Sequence, residues 1–260
     1  MRIRAIAGKV IAAALSLAGP PAHSAPPPAV DSWQVNYDAR QRYFEHTVGP
    51  LPADILKMMN MMVVWPGGGL FVIPAPKLGN GLAVFTTFGL TNPDMPTTVQ
   101  ASNVKTTSDG KRNTGVSGTL TARKAAPKRA GDAGYGYEIV MVAPAHETWP
   151  VNFLQWAVNA EIGHDAGLLG RVEQYGGLTV EEIDVGDGHM VNVLIAKASA
   201  PLPAGGSLPA GKMAILVATT ITEQEMRWSQ QHGRPALLQK LQESGVGQIS
   251  MQHRHSVVQE

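Results

Sequence analysis

Residues 215–246 read ILVATTITEQEMRWSQQHGRPALLQKLQESGV. The apolar and β-branched run from Ile215 to Ile221 predicts a buried strand. Thr222-Glu223-Gln224-Glu225 then has the form of a capping box. In that arrangement the Thr222 hydroxyl accepts from the Glu225 amide, and the Glu225 carboxylate accepts from the Thr222 amide. Both acids also lie at the positive end of the helix dipole. The helix is expected to run to about Gln231, with Gly233 in the left-handed conformation of a helix stop. Pro235 suits the first turn of a second helix. Leu237, Leu238 and Leu241 give that helix an apolar face, and Gly245 ends it. Local structure therefore accounts for Glu223 and Glu225 without a catalytic role.

Upstream, YGYEIVMVAP (135–144) predicts another core strand. ETWPVNFLQWAVNAEI follows as an amphipathic helix with Pro150 near its start and Val151, Leu154, Val158 and Ile162 at helical spacing. Residues 170–193 alternate around Asp187-Gly188 and predict a hairpin. Residues 81–91 predict a buried strand that Pro93 and Pro96 end. VVWPGGGLFVIP (63–74) predicts two short strands about a glycine-rich turn. Residues 32–49 and 51–62 predict helices, the first with an aromatic face of Trp33, Tyr37, Tyr43 and Phe44. Strands and helices mix without strict βαβ alternation, which implies an α+β fold with a mixed or antiparallel sheet packed against several helices.

The chain has 260 residues, 44% of them hydrophobic and 16% charged, with a net charge of +1. That composition supports a core, and the balance of charge gives no reason to expect nucleic acid as a partner. The lack of cysteine excludes disulfides, thiolate nucleophiles and Cys-ligated metals. The first 24 residues have the three parts of a secretory signal peptide. Arg2, Arg4 and Lys9 precede a short apolar run, and Ala22-His23-Ser24 forms a small-x-small cleavage site. Residues 25–34 are a proline-rich lead-in, and 35–258 form one domain. A secreted or periplasmic protein is the expectation, without stable membrane insertion once the signal is cleaved.

Residues 101–134 stand apart. They hold Lys105, Lys111, Arg112, Arg123, Lys124, Lys128 and Arg129 against Asp109 and Asp132, so seven basic residues less two acidic ones leave +5. A solvated basic loop or hairpin is expected there. The seven basic residues are the candidate partner-binding residues, suited to an acidic surface.

The quoted carboxy-terminal segment resembles the closing segment of the suppressor-of-fused domain: a strand ending in an I-T-x-x-E turn, a helix ending at Gly, then a Leu-rich helix. Val84 to Pro96, VFTTFGLTNPDMP, is similar to the family's T-x-G-(M/L)-S-x-x-P-M stretch, with Thr91 at the commoner Ser. YEIVMVAP followed by ETWPVNFLQWAV resembles its E-L-(V/I) strand and Trp-Pro helix start. The residues that carry the resemblance are Thr87, Gly89, Pro93, Met95, Glu138, Trp149, Pro150, Thr222, Glu225 and Gly233. The resemblance spans roughly residues 35–258 and implies fold-forming roles for them. It implies binding rather than catalysis: eukaryotic members hold a transcription factor by pairing with a short extended peptide, and bacterial members are read as immunity proteins that neutralise a toxin. A protein partner and no cofactor are expected.

Two other functions find partial support in the sequence. A periplasmic hydrolase needs His and carboxylates converging in a pocket. The chain has His146-Glu147, His164-Asp165, His253 and His255, but no G-x-S-x-G elbow, P-loop or H-E-x-x-H. His253 and His255 would share one strand face. A Cu(I) binder would use thioethers, and Met58, Met59, Met61 and Met62 lie together. Placed beside Ile55 and Leu56, they read better as core.

Overall fold

A computed structural model describes residues 31–53, 63–64, 69–95, 97–108, 113–124, 129–186 and 188–259. The proposed signal segment, the methionine cluster at 58–62 and most of the 51–62 helix lie outside the described residues. Among the described residues ten strands and five α-helices run in the order α1 (Ser32–Thr47), β1 (Val63–Val64), β2 (Leu70–Pro74), β3 (Leu82–Thr87), β4 (Thr97–Ser108), β5 (Asn113–Lys124), β6 (Asp132–Pro144), α2 (Trp149–Val158), α3 (Leu168–Tyr175), β7 (Leu178–Asp184), β8 (Met190–Lys197), β9 (Gly205–Leu208), β10 (Gly211–Ile221), α4 (Glu223–His232) and α5 (Arg234–Glu243). The fold is α+β with a mixed sheet.

The main sheet has the order β2-β3-β6-β10-β8-β7, with β9 added antiparallel to the start of β10. Only β6 and β10 pair parallel; the other pairs are antiparallel. Alternation along the central strands divides the core. Tyr137, Ile139, Met141, Leu216 and Ala218 pack with Phe153, Leu154 and Leu169 of α2 and α3. Val140, Val142, Ile215 and Val217 pack on the other face with Phe44 of α1. On that second face α4 and α5 cover Leu194 through Met226, Leu237 and Leu241.

Several expectations change. The basic stretch is a twelve-residue-strand hairpin, β4–β5, in a separate three-stranded sheet with β1; residues from Asp132 onward already belong to β6. β1 and β2 belong to different sheets and do not pair around the glycines. Residues 170–175, read as the start of an alternating hairpin, belong to α3, because Leu168, Leu169 and Val172 share one buried helical face. α2 continues through a π-helical turn, Asn159–Gly163, that carries Ile162 into the core. Gly233 has φ 90 and ψ 156, a positive φ that is not left-handed helical, so the chain turns directly into α5. His253 and His255 stand on an irregular tail rather than a strand.

At the start of β6, Gly134 (φ 57) approaches the Leu90–Asn92 turn so closely that an added Cβ would meet the Leu90 carbonyl and stand 2.7 Å from the Asn92 carbonyl oxygen. Strain and clash act together there. Gly134→Ala is expected to cost about 2 kcal/mol in denaturant unfolding; a change within error would mean the turn yields freely.

Candidate functional site

The fold takes up several buried polar residues, which narrows the side chains that remain for function. Glu138 points from the middle of β6 and is fully buried. Its Oε1 accepts from the Gly89 amide (3.0 Å), the Thr91 amide (3.1 Å) and the Thr91 hydroxyl (2.7 Å). Its Oε2 accepts from the Thr87 hydroxyl (2.7 Å) and the Leu90 amide (3.3 Å). Consecutive amides of the turn after β3 thus wrap the carboxylate as a small anion nest. Arg40 of α1, also fully buried, stands 3.6 Å from Oε1 and donates to the Thr91 hydroxyl at 2.9 Å. Its guanidinium lies 4.3 Å over the Phe88 ring. Asn36 completes the set, donating to the Thr91 carbonyl and accepting from the Ala210 amide.

Thr87, Gly89 and Glu138 therefore serve one structural unit, with Met95 buried in the core beside it. At position 91 only a hydroxyl is used, which Ser or Thr supplies alike. Arg40 and Asn36 were not singled out in the sequence. The one available signal was a cation and an amide four residues apart on a helix.

A second buried carboxylate, Glu225, performs the predicted capping box, with the Thr222 amide at 2.9 Å and the Thr222 hydroxyl accepting from the Glu225 amide at 3.2 Å. It also does something the local pattern does not show. Arg254 grips it with two 2.6 Å bonds, and the Val257 amide donates at 2.8 Å. The tail is thereby clamped to α4. Trp149 and Pro150 are buried at the start of α2.

A third, Glu161, sits in the π turn. It accepts from the Tyr137 hydroxyl (2.7 Å) and from the amides of Gly167 and Leu168 that open α3. Burial, reinforced by the Glu161 charge and hydrogen bond, holds the Tyr137 phenol well above its ordinary value. Its contribution is complete below the unfolded phenol value and is lost as pH rises from there through the raised folded value. Stability is expected to fall above about pH 10 with an added slope of about 1.4 kcal/mol per pH unit from this residue. Tyr137→Phe should make that alkaline limb shallower in urea titrations; an unchanged slope would contradict the assignment.

Among the described residues no group of three or more His, Asp or Glu is placed to hold a metal. His146 is an exposed turn residue 3.7 Å from Glu147, and His253 and His255 are exposed on the tail. The structure does not bring these histidines together with Glu138, Glu161 or Glu225, whose carboxylates accept hydrogen bonds from within the fold.

The candidate site is accordingly a surface. Of the seven basic residues, Lys105 is exposed on β4, while Arg123 and Lys124 lie at the end of β5, opposite Thr98 and Thr97. Lys111, Arg112 and Lys128 fall outside the described residues. Arg129 is turned to its own chain, 2.7 Å from Glu173 and 3.4 Å from Asp132. Glu173 also holds Lys197 at 2.9 Å, which with Arg129 keeps its carboxyl below the usual range. β5 is the outer strand of its sheet, and among the described residues its outer edge pairs with nothing. A second feature is a polar cleft of about 300 Å³ between the start of β8, the end of β10 and the tail, lined by Asn192, Thr220, Glu223 and Arg254, with Met190 and Met251 at its rim.

Residues 49–255 match the family described as suppressor of fused protein. The chain belongs to the suppressor-of-fused family. Glu138, Thr87, Gly89 and Glu225 all lie within the matched residues, whereas α1 with Arg40 precedes them. The suppressor-of-fused fold extends to solved structures. One titled the Sufu-Fu complex aligns over 87% of this chain and 92% of its own, at 14% identity and a TM-score of 0.53. Drosophila Suppressor of Fused aligns over 86% of this chain and 50% of its own, at 15% and 0.49. A Neisseria gonorrhoeae homologue aligns over 89% and 100%, at 12% and 0.43. This chain thus spans half the length of the Drosophila one. No curated protein matches it in sequence.

Proposed function

We propose that this suppressor-of-fused chain is a non-catalytic protein-binding module that engages an acidic partner along the β4–β5 hairpin. The observation that carries the reading is the outer edge of β5. It is twelve residues long and free among the described residues, on a hairpin whose sequence 97–124 holds five basic residues and one acid, a net +4. An open edge offers main-chain donors and acceptors to an extended segment, and the basic side chains select its charge. A relative seen in a Sufu-Fu complex supports a protein as the partner. The more specific form of the proposal is an immunity-type protein that covers a toxin's active surface in the periplasm, exported through residues 1–24.

Capture from periplasmic extract tests it. The wild-type protein should retain one stoichiometric partner, and the variant K105E/R123E/K124E should lose it by at least about tenfold in affinity. Equal retention by both overturns the hairpin reading. Protein recovered from the periplasm should begin at Ala25; a retained Met1 contradicts export with cleavage.

A further inference from the structure

A second surface carries the opposite charge. β7 is the outer strand of the main sheet, and its outer edge is unpaired among the described residues. Its exposed residues include Glu181, Glu182 and Asp184. Glu181 accepts from Gln230, and Asp184 accepts from the Gly186 amide; none of the three has a cationic partner among the described residues. The β7–β8 hairpin sequence, 178–197, has four acids and one Lys, a net −3. Met190, 60% exposed, starts β8 opposite Asp184, and Met251, 43% exposed, lies on the tail beside Thr220 of β10. They are two of the three exposed large apolar side chains among the described residues. Both rim the 300 Å³ cleft. Asn192 in that cleft accepts from the Glu182 amide at 2.9 Å, so the acidic edge and the methionine rim form one continuous surface.

β7 is also bulged. Its register with β8 shifts between Val180 and Ile183, and Glu182 has φ 51. A bulge on an outer strand interrupts the row of free amides and carbonyls, so this edge is poorly suited to ladder extension. Recognition there falls to side chains: carboxylates for cationic heads, thioethers for the aliphatic stems of Lys and Arg. The surface that matches this chemistry belongs to the same chain, the +4 hairpin β4–β5, whose strands lie in a different sheet.

We propose that copies of this chain associate head to tail, the basic β4–β5 hairpin of one seated on the acidic, methionine-rimmed β7–β8 edge of the next. The two patches differ, so the contact is heterologous and builds a ring or an open chain rather than a two-fold dimer. It goes beyond the binding reading, sharing only the hairpin with it, and would cover that hairpin when no other partner is present.

Sedimentation velocity of the purified protein tests this. Association is expected at about 50 mM NaCl and should weaken at least about tenfold by about 500 mM, as screening shortens the range of the charges. K105E/R123E/K124E and E181K/E182K/D184K should each sediment as single copies, with circular dichroism confirming that both are folded. Mixed together, they should associate again, since each supplies the patch that the other's reversed patch now matches. A wild type that stays a single copy at low salt overturns the proposal. So does an oligomer that survives in E181K/E182K/D184K, or a mixture of folded variants that stays apart. The binding reading is scored separately: E181K/E182K/D184K keeps the hairpin and should still capture the acidic partner, whichever way the self-association result falls.

Discussion

Glu138→Ala is expected to destabilise the domain by about 4 kcal/mol, the range for removing one partner of a buried ion pair. The variant would strand Arg40, which is fully buried and has Phe88 on one side of its guanidinium. It would also leave the amides of Gly89, Leu90 and Thr91 and two hydroxyls without their acceptor. For a domain of this size that corresponds to a fall in Tm of about 10 °C. The converse change is milder. Arg40→Met replaces the charge with an apolar chain of similar length and leaves Glu138 its five hydrogen bonds, so it should cost less than half as much. Denaturant unfolding of both variants measures the asymmetry. If Arg40→Met proved the more damaging, the carboxylate nest would not be the organising element, and the cation would be.

Arg254→Ala should cost about 3 kcal/mol, because Glu225 is fully buried and would lose two 2.6 Å bonds and its ion-pair partner. The effect is directional. The tail 251–259 should exchange its amides much faster, since the clamp and the Val257 contact fail together and Val258 is released from Ile221, Leu237 and Leu241. α4 keeps its Thr222 cap and should exchange little faster than before. Global destabilisation with no preferential tail exchange would show that Arg254 acts on the whole core rather than as a local strap.

The opening strand, the capping box and both closing helices were legible because their determinants lie within four residues of each other. Hydroxyl to amide at three positions and leucines at helical spacing are local chemistry. The α3 helix was missed for a related reason. LLGRVEQY is short, holds an internal glycine and runs into a genuine hairpin, so periodicity over 170–193 averaged two signals. The basic stretch was read by composition, which registers charge but not pairing. Thr- and Ser-rich strands with few large apolar residues resemble loops until a partner strand is in view.

The closing strand and helices, their caps, the family motifs and the charge of the hairpin could be read from the chain alone, since these are properties of neighbouring residues. What the buried polar residues are for emerged from the packing in three dimensions. Glu138 meets Arg40 across 98 positions and Glu225 meets Arg254 across 29, and no spacing rule links them. Burial is the physical reason: a carboxylate that loses water must find donors wherever the fold brings them, so its partners are set by packing rather than by order along the chain.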